Sequence, residues 1–350
     1  MTDTTPIPTP APGVTRTTGR TSESGETVAA GGTRAAALRL TAVAVALAGV
    51  LPYLTLKIIW LTGGTLGIAD PAWVRDGALF GLNLLTFAMD AVATLILLAF
   101  VLPWGRRIPA GAILPPMWVG IGLLVPIAVE APLGFLIDLL SGTPLSSPND
   151  PVAGWVYLVV YTGFTCQAIG LTVGFLHHAR SRWPGVFTSR VSEGAASRTR
   201  ELQTFVAWGI AGVSVILAAI NLTWLLGSTG GLSVEVAGER SVFFFLRAAV
   251  NTLLPLAVAI GLLTIVRGRS DRRLRGPVIL AWLGSGAMFA WPLWEMIIRF
   301  TPTELSGRGA GDAGVLGLVS LFTLLTGLVA GMTGAFALVD RVRSAAPRPR

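Results

Sequence analysis

The sequence predicts an all-helical membrane protein with eight transmembrane helices, arranged as two parallel four-helix repeats with both termini in the cytoplasm. The first reason is composition, because a 350-residue chain that is 53% hydrophobic and only 13% charged is too apolar for a soluble domain of its length. The second is that apolar runs of about 20 residues, enough to cross the roughly 30 Å hydrocarbon layer as a helix, recur along the chain. The third is that arginines concentrate in alternate connecting segments, as the positive-inside rule requires.

The apolar runs divide the chain into two membrane halves. They lie near 38–61, 78–102, 112–137, 152–178, 203–226, 241–266, 277–299 and 313–339. The first run continues past Pro52 through "YLTLKIIW" without a cleavage site, so it predicts a retained helix and not a signal peptide. The chain is predicted to begin with a disordered tail rich in Thr, Pro and Gly, residues 1–34. Two membrane halves follow, residues 35–179 and 203–340, joined by a basic linker, residues 180–202. A short basic tail, residues 341–350, ends the predicted organisation.

The net charge of +8 is distributed as in a membrane protein and not as in a nucleic-acid-binding protein. Most arginines fall in the tails and in the loops that the prediction places inside, whereas the predicted outer loops hold only Arg75, Arg240 and Arg308. This bias predicts cytoplasmic termini and a location in the plasma membrane. The basic inner face is also a surface that can contact anionic lipid headgroups.

Two similar stretches predict an internal repeat. "WLTGGTLG" (60–67) follows the first apolar run, and "WLLGSTGG" (224–231) follows the fifth. The fourth and eighth runs also carry similar glycine patterns, "GLTVG" (170–174) and "GLVAG" (327–331). Because each half holds an even number of runs, both halves enter the membrane from the same side, and the repeat is predicted to be parallel.

The candidate site consists of polar residues inside the apolar runs, since such residues are costly in lipid and are therefore candidates for function. At 1.5 Å per residue, Asp90 lies about 16–18 Å from either end of its run, at the midplane. The charged residues Lys57, Glu130, Arg247 and Glu295 lie nearer the predicted outer boundary, whereas Asn251 lies near the centre of the sixth run. Under the repeat, polar residues on the first, second and third helices of the two halves pair as Lys57 with Asn221, Asp90 with Asn251 and Glu130 with Glu295, and Arg247 completes the set.

Two interpretations of this set remain open. In the functional one, Asp90 binds a proton or cation while Lys57, Glu130, Arg247 and Glu295 line an outward vestibule. In the structural one, Lys57 and Arg247 reach toward the outer headgroups or neutralise nearby carboxylates. Asp90 is then a hydrogen-bonded contact between helices, with Asn251 or a threonine hydroxyl as its partner.

No catalytic, metal or cofactor motif is present. Lys57 is the only lysine and Cys166 the only cysteine, so a phosphate-binding loop ending in Lys-Ser or Lys-Thr and a paired-cysteine zinc site are both excluded. Two functions fit the sequence. The first is a transporter or permease-like protein for an unknown small solute or ion. The alternative is a non-transporting membrane scaffold or sensor that acts through its basic cytoplasmic loops. An enzyme and a nucleic-acid partner are both disfavoured.

One stretch also carries a resemblance. "PYLTLKIIWLTGGTLG" (52–67), together with the preference for Arg over Lys and the Thr/Pro-rich tail, resembles multispanning membrane proteins of high-GC actinobacteria. The resemblance covers little more than the first run and the loop after it. It implies a source and a membrane location but no activity.

Overall fold

The protein is described from a computed structural model, which covers residues 21–69, 76–143, 150–193, 199–238, 240–301 and 314–345. Over these residues the fold is helical. Its eight long helices, α1 to α8, are in chain order Thr21–Leu61, Gly77–Val101, Ala110–Ser141, Gly154–Arg182, Arg200–Leu225, Val242–Arg267, Arg275–Phe300 and Val315–Ala345. In the described part of the chain, these eight helices are long and apolar enough to cross a membrane. The prediction of a multi-pass, all-helical membrane protein is therefore confirmed.

The start of α1 differs from the prediction. Residues 21–34 were predicted to be disordered, but α1 begins at Thr21, and only the portion Ala37–Leu61 is apolar enough to span a membrane. The added segment holds Glu26, Ala29 and Ala30, which are good helix formers, and extending an existing helix is far easier than starting one. Residues 1–20 of the tail, and the loop residues Arg75 and Arg308, lie outside the described residues.

The helices of each half pack in a similar order. In the first half α1 contacts α2 and α4, and α3 contacts α4; in the second half α5 contacts α6 and α8, and α7 contacts α8. Each half has its own apolar core, centred on Leu97 and Met117 in the first and on Val258 and Leu262 in the second. The halves meet where α3 packs against α7 and α6.

The two tryptophan stretches form the same turn. The indole Nε1 of Trp60 donates to the Leu66 carbonyl oxygen at 2.8 Å, and that of Trp224 donates to the Gly230 carbonyl oxygen at 2.9 Å. Each turn also has two glycines with positive φ, where a side chain would be strained: Gly63 (89°), Gly67 (74°), Gly227 (98°) and Gly231 (80°). The prediction of a shared loop pattern at these two places therefore holds in the backbone.

The helices that precede these turns bury the same face. Five positions on α1 are buried, and so are the five positions 164 residues later on α5. They are Val43, Ala46, Val50, Tyr53 and Lys57 on α1, and Ala207, Ile210, Ser214, Leu217 and Asn221 on α5. Lys57 and Asn221 thus occupy equivalent positions on their helices.

A close glycine contact joins the two halves. The backbones of Gly122 on α3 and Gly286 on α7 approach so closely that a methyl group on Gly122 would collide with the Gly286 carbonyl. Beside this contact, the Trp118 Nε1 donates to Ser285 Oγ at 3.0 Å, and the Trp118 ring stacks on Phe289 with centroids 5.0 Å apart. The two glycines belong to matching stretches, "WVGIG" (118–122) and "WLGSG" (282–286), a similarity that the sequence reasoning missed.

The linker between the halves is anchored to a loop of the second half. After a short helix, Pro184–Thr188, the Val191 amide donates to the Arg272 carbonyl at 3.0 Å, and the Leu274 amide donates to the Ser189 carbonyl at 3.0 Å. We call this end of the bundle, with its arginine-rich connections, the arginine end. The opposite end, which carries the turns after Trp60 and Trp224, is called the tryptophan end.

Candidate functional site

A cleft opens between α2 and α3 in the first half. Its volume is about 560 Å³, and its walls are mostly apolar. The polar side chains that line it come from several helices: Tyr53, Thr86, Asp90, Tyr161, Gln167, Arg247, Trp291 and Trp294. The size of the cleft and its lining, which is apolar with a few converging polar groups, are typical of a small-molecule site.

Side-chain size explains why α2 and α3 stand further apart than α6 and α7 do at the corresponding glycines. In the second half, α6 and α7 touch through glycines: Gly261 lies against the Pro277 carbonyl, and Gly284 lies against the Leu254 carbonyl. At the corresponding positions of the first half stand Ile96, 165 residues before Gly261, and Gly120, 164 before Gly284. Ile96 lines the cleft, and a methyl group added to Gly120 would meet nothing within 4 Å.

Met117 adds to the separation of α2 and α3. It stands 164 residues before Ala281, whose backbone nitrogen packs against Gly261 in the second half. Met117 is itself almost fully buried and lines the cleft. Two larger side chains, Ile96 and Met117, therefore replace a Gly-Ala contact and keep the two helices apart.

Asp90 lines the cleft, and Lys57, which carries the opposite charge, lines a second cavity beside it. Asp90 is 6% exposed and Lys57 is also 6% exposed. Counted at 1.5 Å per residue, Asp90 lies about 20 Å from the start of α2 and about 16 Å from its end. The two groups attract each other electrostatically, but they do not form a direct ion pair. A buried carboxylate thus lies about midway along α2, attracted to a buried ammonium with which it forms no direct ion pair.

Lys57 turns toward the midplane and not toward the headgroups. Its Cα lies four residues before the end of α1, about 6 Å from that end, yet its Nζ donates to Thr86 Oγ1 at 2.5 Å. The ammonium also lies 5.0 Å from the centroid of the Tyr53 ring and 5.9 Å from that of Trp60, within the range of cation–π attraction. Of the two alternatives for Lys57, these contacts favour the one in which it neutralises a nearby carboxylate over the one in which it reaches outward to the headgroups.

Two buried hydrogen-bond donors lie on the cleft wall. Gln167 on α4 is 1% exposed, and its side chain is a hydrogen-bond partner of the Asp90 carboxylate, although the Nε2 position falls outside strict hydrogen-bond geometry. The indole Nε1 of Trp291 is buried and has no partner among the described residues. Since buried donors are nearly always satisfied, the Trp291 donor is available to an acceptor atom in the cleft, water included.

A second charged cluster closes the cleft toward the tryptophan end. The Arg247 Nε donates to both Glu130 carboxylate oxygens at 2.9 Å, and Arg247 Nη1 lies 3.8 Å from Glu295 Oε1. The Arg247 guanidinium also covers the Trp291 ring, 4.0 Å from its centroid. Since Glu130 belongs to α3 and Arg247 to α6, this ion pair joins the two halves, as the structural interpretation of Arg247 predicted.

A smaller cavity leads from the cleft to the tryptophan end. Its volume is about 270 Å³, and it is lined by Lys57 and by Ile68 and Val152, which lie in or beside the loops. Tyr53, Thr86 and Trp294 line both spaces. The cleft at Asp90 and the cavity at the loops therefore adjoin, with Lys57 at their junction.

Of the seven predicted site residues, Asp90 and Arg247 line the cleft. Lys57 lines the adjoining cavity, and Glu130 and Glu295 contact Arg247. Asn221 and Asn251 do not join them. The Asn221 Nδ2 donates to the Leu217 carbonyl of its own helix at 2.9 Å, and neither asparagine lines the cleft. The cleft is therefore built mainly by the first half, whereas the prediction gave each half an equivalent set.

The helix starts give a different register from the predicted pairing of Asp90 with Asn251. The helices α2 and α6 begin at Gly77 and Val242, which are 165 residues apart. Counted from these starts, Asn251 corresponds to Thr86, and Asp90 corresponds to Pro255. Asp90 therefore has no polar counterpart in the second half.

The sequence reasoning missed several polar and aromatic residues of the cleft. It considered ionisable residues first and passed over Gln167, an amide within an apolar run, which is costly in lipid for the same reason. Tyr53 and Trp294 gave no signal, because aromatic residues in a membrane helix are common whether or not they line a cavity. Among the described residues, no group of three or more His, Cys, Asp and Glu could hold a metal ion.

Fold and site together define a class: a multi-pass membrane protein with charged residues buried around an intramembrane cleft. No protein family, curated protein or solved structure matches the chain. The resemblance to actinobacterial membrane proteins consequently stays a prediction.

Proposed function

We propose that the protein is a permease-like membrane protein whose first half binds a small solute or cation at Asp90. The observation that carries this proposal is the cleft itself, which places a carboxylate about midway along α2, beside the Gln167 amide and near the unpaired Trp291 indole donor, and adjoins a second cavity that extends to the loops. A buried carboxylate without a direct ion pair is costly in a membrane, and a bound cation or proton would offset that cost.

The arrangement of Lys57 suggests how binding occurs. With the cleft empty, the Lys57 ammonium is the countercharge of Asp90. A cation that reaches Asp90 from the cavity at the loops passes Lys57 and takes over this role. Lys57 keeps Thr86 Oγ1 and the faces of Tyr53 and Trp60 as partners, so its charge stays satisfied while the solute occupies the site.

We further infer that the chain is a parallel repeat of two four-helix halves with both termini in the cytoplasm. The matching turns after Trp60 and Trp224, the matching buried faces of α1 and α5 and the contact between Gly122 and Gly286 support the repeat. The arginine bias supports a cytoplasmic arginine end in the plasma membrane. On this proposal the repeat has diverged: the first half keeps an open cleft between α2 and α3, whereas α6 and α7 of the second half are in close contact at Gly261 and Gly284.

Whether water reaches the cleft distinguishes a solute-binding site from a groove filled by lipid. Cys166 is the only cysteine, so a Cys166→Ala background allows single cysteines to be introduced. We expect Ala93→Cys, on the cleft wall, to react with a membrane-impermeant maleimide. The control Ala219→Cys, on the outward-facing surface of α5, should not react. If neither residue reacts in folded protein, while both react after denaturation, the cleft is filled by lipid.

Replacing Asp90 tests the coupling role directly. Proton flux is measured in proteoliposomes with an internal pH-sensitive dye, under a potassium diffusion potential, and cation flux with a sodium- or potassium-sensitive dye. We expect Asp90→Asn to lower the flux by about tenfold or more, because hydrogen bonds to a charged group contribute roughly 1.5–3 kcal/mol. Asp138→Asn, near the end of α3 and outside the cleft, should leave the flux unchanged.

The scaffold or sensor function makes a different forecast for the same variant. If Asp90 serves only to join helices, neither wild type nor Asp90→Asn carries flux, and the variant differs from wild type in its melting temperature alone. A wild-type flux that Asp90→Asn leaves unchanged would exclude the coupling role and keep the transport function.

A further inference from the structure

A pocket at the arginine end lies apart from the cleft and between the ends of α6 and α7. Its volume is about 310 Å³. Three arginines on the loop and first turn of α7 line it, together with Thr264, Ile260 and Leu280: Arg272, Arg273 and Arg275. All three arginines are exposed, and no described carboxylate forms an ion pair with any of them. The pocket thus concentrates positive charge that the described protein does not neutralise.

The nearest acidic residue in sequence is engaged elsewhere. Asp271 accepts a hydrogen bond from Ser192 Oγ at 3.1 Å and does not line the pocket. The start of α7 also has no side-chain cap, so the first backbone N–H groups of that helix add to the positive potential. An anion is the ligand that both the arginines and the helix end favour.

The other wall of the pocket is apolar and continues toward the membrane interior. Ile260 lies about 10 Å before the end of α6, and Leu280 lies about 7 Å after the start of α7, at 1.5 Å per residue. Ile260 is 59% exposed and Leu280 is 40% exposed. Leu253, two turns further along the same face of α6, is 65% exposed, so an apolar track leads from the arginines into the hydrocarbon layer.

We infer that this pocket binds one anionic phospholipid. Its phosphate and anionic headgroup lie among Arg272, Arg273 and Arg275, and one acyl chain follows Ile260 and Leu253. A free phosphate would use the arginines but not the apolar track, and a neutral lipid would use the track but leave three cations unpaired. Only an anionic lipid satisfies both walls, as in the basic pockets between membrane helices that bind such headgroups. This inference does not depend on the cleft or on transport.

The first half supplies a natural comparison. The corresponding start of α3 has Gly111 and Ala112 where α7 has Arg275 and Gly276. Its own basic pair, Arg106 and Arg107, is exposed and does not line the pocket. Variants near the start of α3 are therefore matched controls. They make the same change of charge or volume at the same end of the bundle as the variants near the start of α7, but outside the proposed site.

Binding can be measured by native mass spectrometry of delipidated protein titrated with phosphatidylglycerol and, separately, phosphatidylcholine. We expect wild type to retain one phosphatidylglycerol in preference to phosphatidylcholine. The double variant Arg272→Gln/Arg273→Gln should lower this affinity about thirtyfold, since each basic residue near an anionic lipid contributes roughly fivefold. Arg106→Gln/Arg107→Gln should leave it within about twofold.

A second variant separates loss of binding from loss of structure. Gly276 has open space around its Cβ position, so Gly276→Phe fills the pocket without changing its charge and should also abolish retention. Gly111→Phe, equally open in the first half, should not. Lipid retention is measured on folded protein in both variants. The expected result therefore holds even if Gly276→Phe and Gly111→Phe differ in melting temperature.

Three results would overturn the inference. The first is equal loss of phosphatidylglycerol in the two double-arginine variants, which would mean general attraction to a basic surface. The second is displacement of the lipid by millimolar inorganic phosphate, which would mean a soluble-anion site. The third is full retention in Gly276→Phe, which would place the lipid elsewhere.

Discussion

Replacing Arg247 with Gln is expected to lower the free energy of unfolding by about 3–5 kcal/mol, the usual effect of removing one partner of a buried ion pair. Arg247 neutralises Glu130, whose side chain is only 5% exposed, and it also approaches Glu295. Without the guanidinium, the Glu130 carboxylate stays between α3 and α6 with no countercharge. Chemical unfolding in detergent micelles, followed by helical circular dichroism, measures the change.

The double variant Glu130→Gln/Arg247→Gln identifies the cause. Removing both charges leaves no isolated buried ion, so we expect it to be more stable than Arg247→Gln alone. Arg107→Gln, an exposed arginine at the arginine end, should change stability by no more than about 0.5 kcal/mol. If the double variant were less stable than the single one, the charge pair would not be the reason for the loss.

Replacing Gly122 with Val is expected to destabilise the protein by about 3 kcal/mol or more, the upper end of what overpacking costs. The new side chain would meet the backbone carbonyl of Gly286 on α7, and a backbone in a helix cannot move aside as a side chain can. The two halves would have to separate along α3 and α7, breaking the Trp118–Ser285 hydrogen bond as well. Thermal unfolding in micelles and the fluorescence of the tryptophans report both changes.

Gly120→Val is the matched control, because Gly120 lies only two residues earlier on the same helix. A Cβ there meets nothing within 4 Å, so we expect stability within about 1 kcal/mol of wild type. Because Gly120 lines the cleft, the same variant should reduce cleft volume and reagent access at Ala93→Cys. Equal destabilisation by Gly120→Val and Gly122→Val would contradict the close packing of the halves at Gly122.

Some predictions depend on a physical reason that acts locally. The placement of Asp90 near the midplane follows from counting residues along a helix, and it stays a prediction. The pairing of Arg247 with carboxylates followed from charge alone, since an arginine inside an apolar run needs a partner. The matching turns at Trp60 and Trp224 followed from glycines that only a tight turn requires.

The prediction was less complete where a residue's role depends on another helix. Asn251 was paired with Asp90, but the starts of α2 and α6 set it opposite Thr86 instead. The position of Lys57 along α1 suggested an outward-reaching side chain, but Thr86 and the rings of Tyr53 and Trp60 draw it inward. Gln167 was not considered, because nothing on α4 alone indicates that Asp90 lies beside it.

The eight membrane-spanning helices and the turns of the two tryptophan stretches were determined by the sequence alone. Each depends on a run of neighbouring residues: enough apolar length to cross the bilayer, or glycines able to adopt positive φ. The tertiary structure decided which charges meet and where the cleft lies. Those outcomes depend on the sizes of side chains that face each other across two helices. Ile96 and Met117 occupy in the first half the positions that Gly261 and Ala281 occupy in the second. Such volumes can be compared only once the helices are packed together.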